Sequence, residues 1–227
     1  MTSADKLLAQ NPVFAVLPQP KRDALLQEAI KRHYQKGETI AMVGDFWPYL
    51  FIVAEGGVSA RKSSVEGRSL VVTTFEKGDI FWGLAFFYED MTMPVSLEAI
   101  KSTRIYLWSR EQMHPLLEKE GAFAWELARM MIKKMARASE ILEEMAFQPV
   151  AGRLAKLLIE TSSNSAMGAI TRSLTLDEMA ARIGSTREMV CRFLHRFADD
   201  GIIDITRTEF RITDNGRLAE LARNSKG

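Results

Sequence analysis

A chain of 227 residues, 47% apolar and 26% charged, has the composition of a globular protein with one large or two small cores. A net charge of +1 excludes bulk basicity as a means of holding nucleic acid, and residues 149–227, with 12 Lys+Arg against 10 Asp+Glu, are themselves barely positive. One cysteine, Cys191, excludes an intrachain disulfide and a cysteine-ligated iron–sulfur cluster within the chain.

The opening MTSADKLLAQNPVF lacks the basic segment and long apolar run of a signal peptide. No apolar run is long enough to cross a membrane, so a cytoplasmic protein without membrane contact is expected. Residues 1–34 read as short helices. Leu7 and Leu8 precede a break at Asn11-Pro12, and Pro20 opens a second segment with Leu25, Leu26, Ala29 and Ile30 on its apolar face.

From Gln35 to Arg110 the texture changes to short β-branched and aromatic runs punctuated by glycine and charged turns. The runs Thr39–Val43, Tyr49–Ala54, Val58–Arg61, Leu70–Phe75 and Ser102–Trp108 predict strands of an antiparallel sandwich or roll. Such a roll encloses either a ligand pocket or a filled core.

From about Ser109 to Phe147 a helical pattern returns. Ala124, Ala128, Met131, Met135, Ala138, Leu142 and Met145 alternate four and three apart, an unbroken a/d stripe on one long helix. That stripe predicts a homodimer seam, with Ala124 and Ala128 allowing close backbone approach. A second apolar set, Leu127, Met130 and Ile141, leaves room for packing on the helix's own roll.

Gln148-Pro149 breaks the helix and marks a hinge. Residues 150–160 form another amphipathic helix, residues 161–169 a loop, and Ile170–Leu174 a short strand. LTLDEMAARIGSTREMVCRFLHRF then predicts two helices about a tight turn. Thr175 and Glu178 form a capping box for the first, Leu176–Ile183, and Ser185 or Thr186 caps the second, Arg187–Phe197.

Val190, Leu194 and Phe197 should face a core, with Arg187, Glu188, Cys191, Arg192 and His195 opposite. Arginine can donate two bonds to guanine O6 and N7, and glutamate can accept one from cytosine N4, so this face suits a DNA groove. A solvated helical hairpin is the plain alternative. Ile202–Thr206 and Phe210–Thr213 look like a two-stranded wing whose Arg207 and Arg211 suit phosphate contacts. Gly216–Arg223 reads as a last helical turn or two.

This order, with STREMVCRFLHRFADDGII, KGETI, VAEGGV and FEKGDIF, resembles the CRP/FNR family of bacterial transcription regulators over almost the whole chain. The resemblance implies an α+β fold. A cyclic-nucleotide-binding-like β-roll (jelly roll) with N-terminal helices spans 1–110, a dimerisation helix 111–147, and a winged helix-turn-helix domain 148–227. It implies double-stranded DNA, a second copy of the chain and RNA polymerase as partners. Arg187, Glu188 and Arg192 match the base-reading positions of the CRP branch, for a palindrome of TGTGA-like halves about one helical turn apart. Thr186 and His195 then suit phosphate. If Ser185 is the cap, Glu188 falls at the third helical position and is divided between cap and base. Cys191 on this face is either a small residue that lets the backbone near DNA or a redox switch.

The effector cassette departs from the family pattern. Phe81-Trp82-Gly83-Leu84-Ala85 stands where the cAMP binders carry Phe-Gly-Glu-Leu-Ala, and Met93-Pro94-Val95-Ser96 where they carry Arg-Ser-Ala-Thr. The ribose-binding glutamate and the phosphate-binding arginine are both missing, so no cAMP binding is expected. Phe81, Trp82, Gly83, Phe86 and Met93 are the candidate pocket lining, for a core filled by its own side chains or a site for an apolar or planar molecule. No cofactor is predicted. Haem is the specific alternative, with His33 and His114 as possible axial ligands. No Ser-His-Asp set, metal-ligand spacing or phosphate loop is present, so neither an enzyme nor a metal site is expected. The competing function is a regulatory subunit whose C-terminal domain binds protein.

Overall fold

The computed structural model describes residues 3–64, 69–162, 169–171, 174–206 and 209–223. The chain divides into two compact units, Met1–Lys62 with Val72–Ala136, and Ser63–Val71 with Arg137–Gly227.

In the first unit, helices α1 (Ser3–Gln10), α2 (Pro12–Ala15) and α3 (Gln19–Glu28) open the chain. The break at Asn11-Pro12 is a helix cap. Asn11 accepts a 2.9 Å bond from the Val13 N–H, and Pro12 occupies the first turn, where its missing donor costs nothing. The helical expectation fails at Ile30–Tyr34, which is strand β1, paired antiparallel with β8 (Thr103–Ser109). Lys31, Arg32 and His33 gave no strand signal, because an edge strand keeps exposed charges that a central strand excludes.

The remaining strands are β2 (Thr39–Ala41), β3 (Tyr49–Glu55), β4 (Gly57–Ser63), β5 (Ser69–Glu76), β6 (Ile80–Trp82) and β7 (Ser96–Ala99). They form two antiparallel sheets, ordered β1-β8-β3-β6 and β2-β7-β4-β5. β6 and β7 are too short for their period to be read from the sequence. Alternation along β3 and β8 builds two cores. Leu50, Ile52 and Trp108 meet the helices, while Phe51, Val53, Ile105 and Leu107 meet the other sheet. Trp108 also donates from Nε1 to the Leu25 carbonyl at 2.7 Å, fastening α3 to the sheet.

Helix α4 (Arg110–Lys119) starts at a Ser109–Gln112 capping box. Helix α5 (Gly121–Phe147) has 27 residues and so runs about 40 Å. It buries Phe123 and Leu127 alone among its residues.

The second unit holds α6 (Val150–Ser162), β9 (Ala169–Thr171), α7 (Leu176–Ile183), α8 (Arg187–Asp199), β10 (Ile203–Ile205), β11 (Glu209–Ile212) and α9 (Asn215–Arg223). Its core is Leu154, Leu157 and Leu158 of α6, Met179 and Ile183 of α7, Val190, Leu194 and Phe197 of α8, with Ile203, Phe210 and Leu218. The sheet order β10-β11-β9 adds a third strand to the expected wing. The whole is the α+β combination of β-roll, long helix and winged helix-turn-helix that the sequence predicts. Among the described residues, no helix is long and apolar enough to cross a membrane.

Candidate nucleic-acid interface

The interface is built from three local devices. At the start of α7, the Thr175 hydroxyl accepts from Glu178 N–H at 3.1 Å and the Glu178 carboxylate accepts from Thr175 N–H at 2.7 Å. At its end Gly184 turns left-handed (φ 61°), a conformation that penalises a side chain. Thr186 then caps α8, accepting from Met189 N–H at 3.3 Å. These devices set the angle at which α8 leaves the turn.

With Thr186 as the cap, Met189 is the third helical residue and Glu188 the second. Glu188 is therefore outside a reciprocal capping box. Its carboxylate instead accepts from its own backbone N–H and from the Thr186 hydroxyl, and these bonds hold its pKa below the usual carboxylate value. It stands ionised and exposed in the first turn of α8.

Val190, Leu194 and Phe197 are buried, as their spacing predicts. Arg187, Glu188, Arg192 and His195 are exposed on the opposite face, with Thr186 and Cys191 half-buried there. Arg187 donates from Nη1 to Asp177 Oδ2 at 3.1 Å, an exposed ion pair between the first turns of α8 and α7. No local sequence pattern marks Asp177, because its partner lies ten residues away across a turn. On the wing, Arg211 is exposed and stands opposite Asp204 in the β10–β11 register. Arg207 lies outside the described residues.

On α5 the predicted stripe is open along most of its length. Ala128, Met131, Met135, Ala138 and Leu142 are exposed, and Ala124 and Met145 half-exposed. Met135 and Leu142 keep 69% and 68% of their surface, far more than an apolar side chain on a packed helix face retains. Trp125 and Ile132, seven residues apart, are 67% and 61% exposed and widen the stripe on one side. Their positions, one residue after Ala124 and Met131, were the available sequence signal.

In the roll, the five candidate lining residues do not share one space. Strand alternation sends Phe81 into the inter-sheet core with buried Met93, and Trp82 into the helix-facing core with Phe86. Phe81 packs tilted against Phe51 and edge-on against Phe75 at centroid distances of 5.4 and 5.3 Å. Lys134 of α5 places its ammonium 4.7 Å over the Phe75 ring. Desolvation lowers the pKa of that ammonium, against the opposing charge of Asp79.

At Gly83 the backbone is extended, so conformation does not demand glycine, but space does. A Cβ there would lie 2.1 Å from the Trp47 carbonyl oxygen. Both candidate haem ligands are exposed: His33 Nε2 is 3.0 Å from Ser102 Oγ, and His114 is 3.7 Å from Glu118. Among the described residues, no group of three or more His, Cys, Asp or Glu is placed to hold a metal.

Residues 31–120 match the cyclic nucleotide-binding domain family, and residues 152–221 the Crp-like helix-turn-helix domain. The chain is 26% identical over 225 residues to the CRP-like cAMP-activated global transcriptional regulator of Mycobacterium tuberculosis, covering 96% of this chain and 100% of that protein. It is 24% identical over 212 residues to the cyclic AMP receptor protein of Thermus thermophilus, covering 93% of this chain and 97% of that one. Its fold is similar to the solved structure of the c-di-GMP responsive global regulator CLP of Xanthomonas campestris. That likeness has a TM-score of 0.76 at 20% identity, over 86% of this chain and 99% of the other.

Proposed function

The chain belongs to the CRP/FNR family of DNA-binding transcription regulators, and on that premise we propose that it acts as a homodimer reading a TGTGA-like palindrome without a cAMP switch. One observation carries the base reading: Arg187, Glu188 and Arg192 stand exposed in the first turns of α8 while its other face is buried. A helix built to bind protein would more often present aromatic side chains there. Arg187 and Arg192 read bases, and Glu188 joins them once its carboxylate leaves its own N–H. Thr186, His195, Arg207 and Arg211 hold phosphates.

The dimer reading rests on the open stripe of α5, to which a second α5 is the complementary surface. In this reading residues 1–110 are the effector-type roll, 111–147 the dimer helix and 148–227 the DNA-binding head. RNA polymerase is the protein partner of the DNA-bound dimer.

The M. tuberculosis relative is named for activation by cAMP. In this chain the residues that would hold the cyclic nucleotide's ribose and phosphate are replaced, and at Gly83 the Trp47 carbonyl leaves no room for a glutamate side chain. The aromatic group Phe51–Phe75–Phe81, with buried Met93, favours a roll filled by its own side chains.

The test is fluorescence anisotropy on a labelled TGTGA palindrome, with and without millimolar cAMP, using wild type and Arg187→Ala. Wild type should bind the palindrome in preference to a scrambled duplex, with salt-sensitive affinity unchanged by cAMP. Equal, salt-insensitive binding by both proteins defeats the base-reading proposal. A cAMP-dependent gain in affinity defeats the proposed loss of the switch.

A further inference from the structure

We infer that Asp177 is a specificity-determining residue, whose carboxylate tethers the Arg187 guanidinium for base reading and lowers its use on phosphate. This inference rests on the base-reading role proposed for Arg187. The two residues meet at 3.1 Å, and both side chains are more than half exposed. Asp177 belongs to the first turn of α7 and Arg187 to the first turn of α8, so the pair bridges the two helices at the end that carries the candidate base readers.

Two physical consequences follow. An arginine offers five N–H donors in a planar fork. The bond to Asp177 uses Nη1, which leaves Nε and Nη2 available to the paired O6 and N7 acceptors of guanine. Restricting the long side chain beforehand also reduces the rotamer freedom lost when it meets a base.

The second consequence is electrostatic. Non-specific affinity comes from neutralising phosphates, and an arginine already beside a carboxylate gains less from another anion. Asp177 itself repels the backbone. The pair therefore weakens binding to any sequence more than it weakens binding to a site whose guanine is in register. Glu178, one residue on, is engaged with Thr175 in the capping box and Glu188 with its own N–H and Thr186.

The test compares wild type, Asp177→Asn, Asp177→Glu, Arg187→Ala and the Asp177→Asn/Arg187→Ala double variant. Each is titrated onto the TGTGA palindrome, onto palindromes with each guanine replaced in both halves, and onto a scrambled duplex. An exposed ion pair shifts an equilibrium by about 1.5- to 5-fold. With two pairs per dimer, Asp177→Asn should lower the palindrome-to-scrambled affinity ratio by roughly twofold to twenty-fivefold. On scrambled DNA its log K against log salt should steepen by roughly one per subunit. Asp177→Glu, which keeps the charge, should retain most of the wild-type ratio.

If Arg187→Ala discriminates as well as wild type, the base-reading role itself is wrong. If Arg187→Ala loses discrimination while Asp177→Asn keeps the wild-type ratio, only the tether is wrong. An equal effect of Asp177→Asn with and without Arg187 would make it a general charge effect and also overturn the tether.

Discussion

Replacing Arg153 with alanine should loosen the second unit and leave the first intact. Arg153 lies in the first turn of α6, and its guanidinium is aimed at backbone carbonyls. Nε donates to Ile183 O at 2.8 Å, and Nη1 donates to Gln148 O at 2.5 Å with Met145 O at 3.5 Å. Ile183 ends α7, Met145 lies in the last turn of α5, and Gln148 follows that helix. Carbonyls at helix ends lack intrahelical donors, so one side chain satisfies groups from two helices. The 3.5 Å contact is too long to count. Two charge-assisted bonds at 1.5–3 kcal/mol each, reduced because the side chain is only partly buried, give a loss of about 2–4 kcal/mol.

At roughly 4–8 °C per kcal/mol for a unit of this size, the midpoint should fall by about 10 °C or more. The assay can separate the units, because Trp47, Trp82, Trp108 and Trp125 all lie in the first. Tryptophan fluorescence should therefore unfold as in wild type while part of the circular dichroism signal at 222 nm melts early. Arg153→Lys keeps the charge but not the planar fork, and should recover less than half of the loss. A variant Arg153→Ala whose second-unit transition lies within about 0.5 kcal/mol of wild type refutes the clamp, since solvent would then serve those carbonyls as well.

Three further outcomes are expected. Met135→Glu puts a charge from each copy into the middle of the α5 stripe, and light scattering should find a single-chain mass with palindrome affinity reduced at least tenfold; a stable dimer would defeat the seam. Thr186→Ala removes the cap of α8 at a cost of about 1 kcal/mol by urea unfolding. It also removes one of the bonds that depress Glu188, so a carboxyl NMR titration should place Glu188 closer to the ordinary glutamate value. A depressed carboxylate stabilises the fold above its unfolded pKa and loses that contribution as pH falls through the folded pKa, so the acid-sensitive part of stability should shrink in this variant. Gly83→Glu restores the family's residue but drives a Cβ against the Trp47 carbonyl, and should destabilise the first unit by about 1–3 kcal/mol or more without conferring cAMP binding; calorimetric binding by a well-folded variant would contradict this.

The helix-turn-helix was legible because its determinants are local. Thr175, Glu178, Gly184 and Thr186 are close in sequence, and the spacing of Val190, Leu194 and Phe197 is the helical period itself. The α5 stripe was legible for the same reason, although the a/d spacing leaves out Trp125 and Ile132 beside it. The roll was less legible. Ile30–Tyr34 looked helical because its charges belong to an edge strand, and β6 and β7 are too short to show a period. The pocket set Phe81, Trp82, Gly83, Phe86 and Met93 was contiguous in texture, yet neighbours on a strand face opposite ways and entered different cores.

The sequence by itself determined the order of roll, long helix and helix-turn-helix, the capped helices of that helix-turn-helix and the absence of the cAMP cassette's two charged residues. These follow from residue identity and short-range period. Only the tertiary structure decided that Gly83 has no room beside Trp47, that Arg153 serves carbonyls of two helices, and that Arg187 is held by Asp177. Each of these depends on the distance between atoms that chain separation alone does not set.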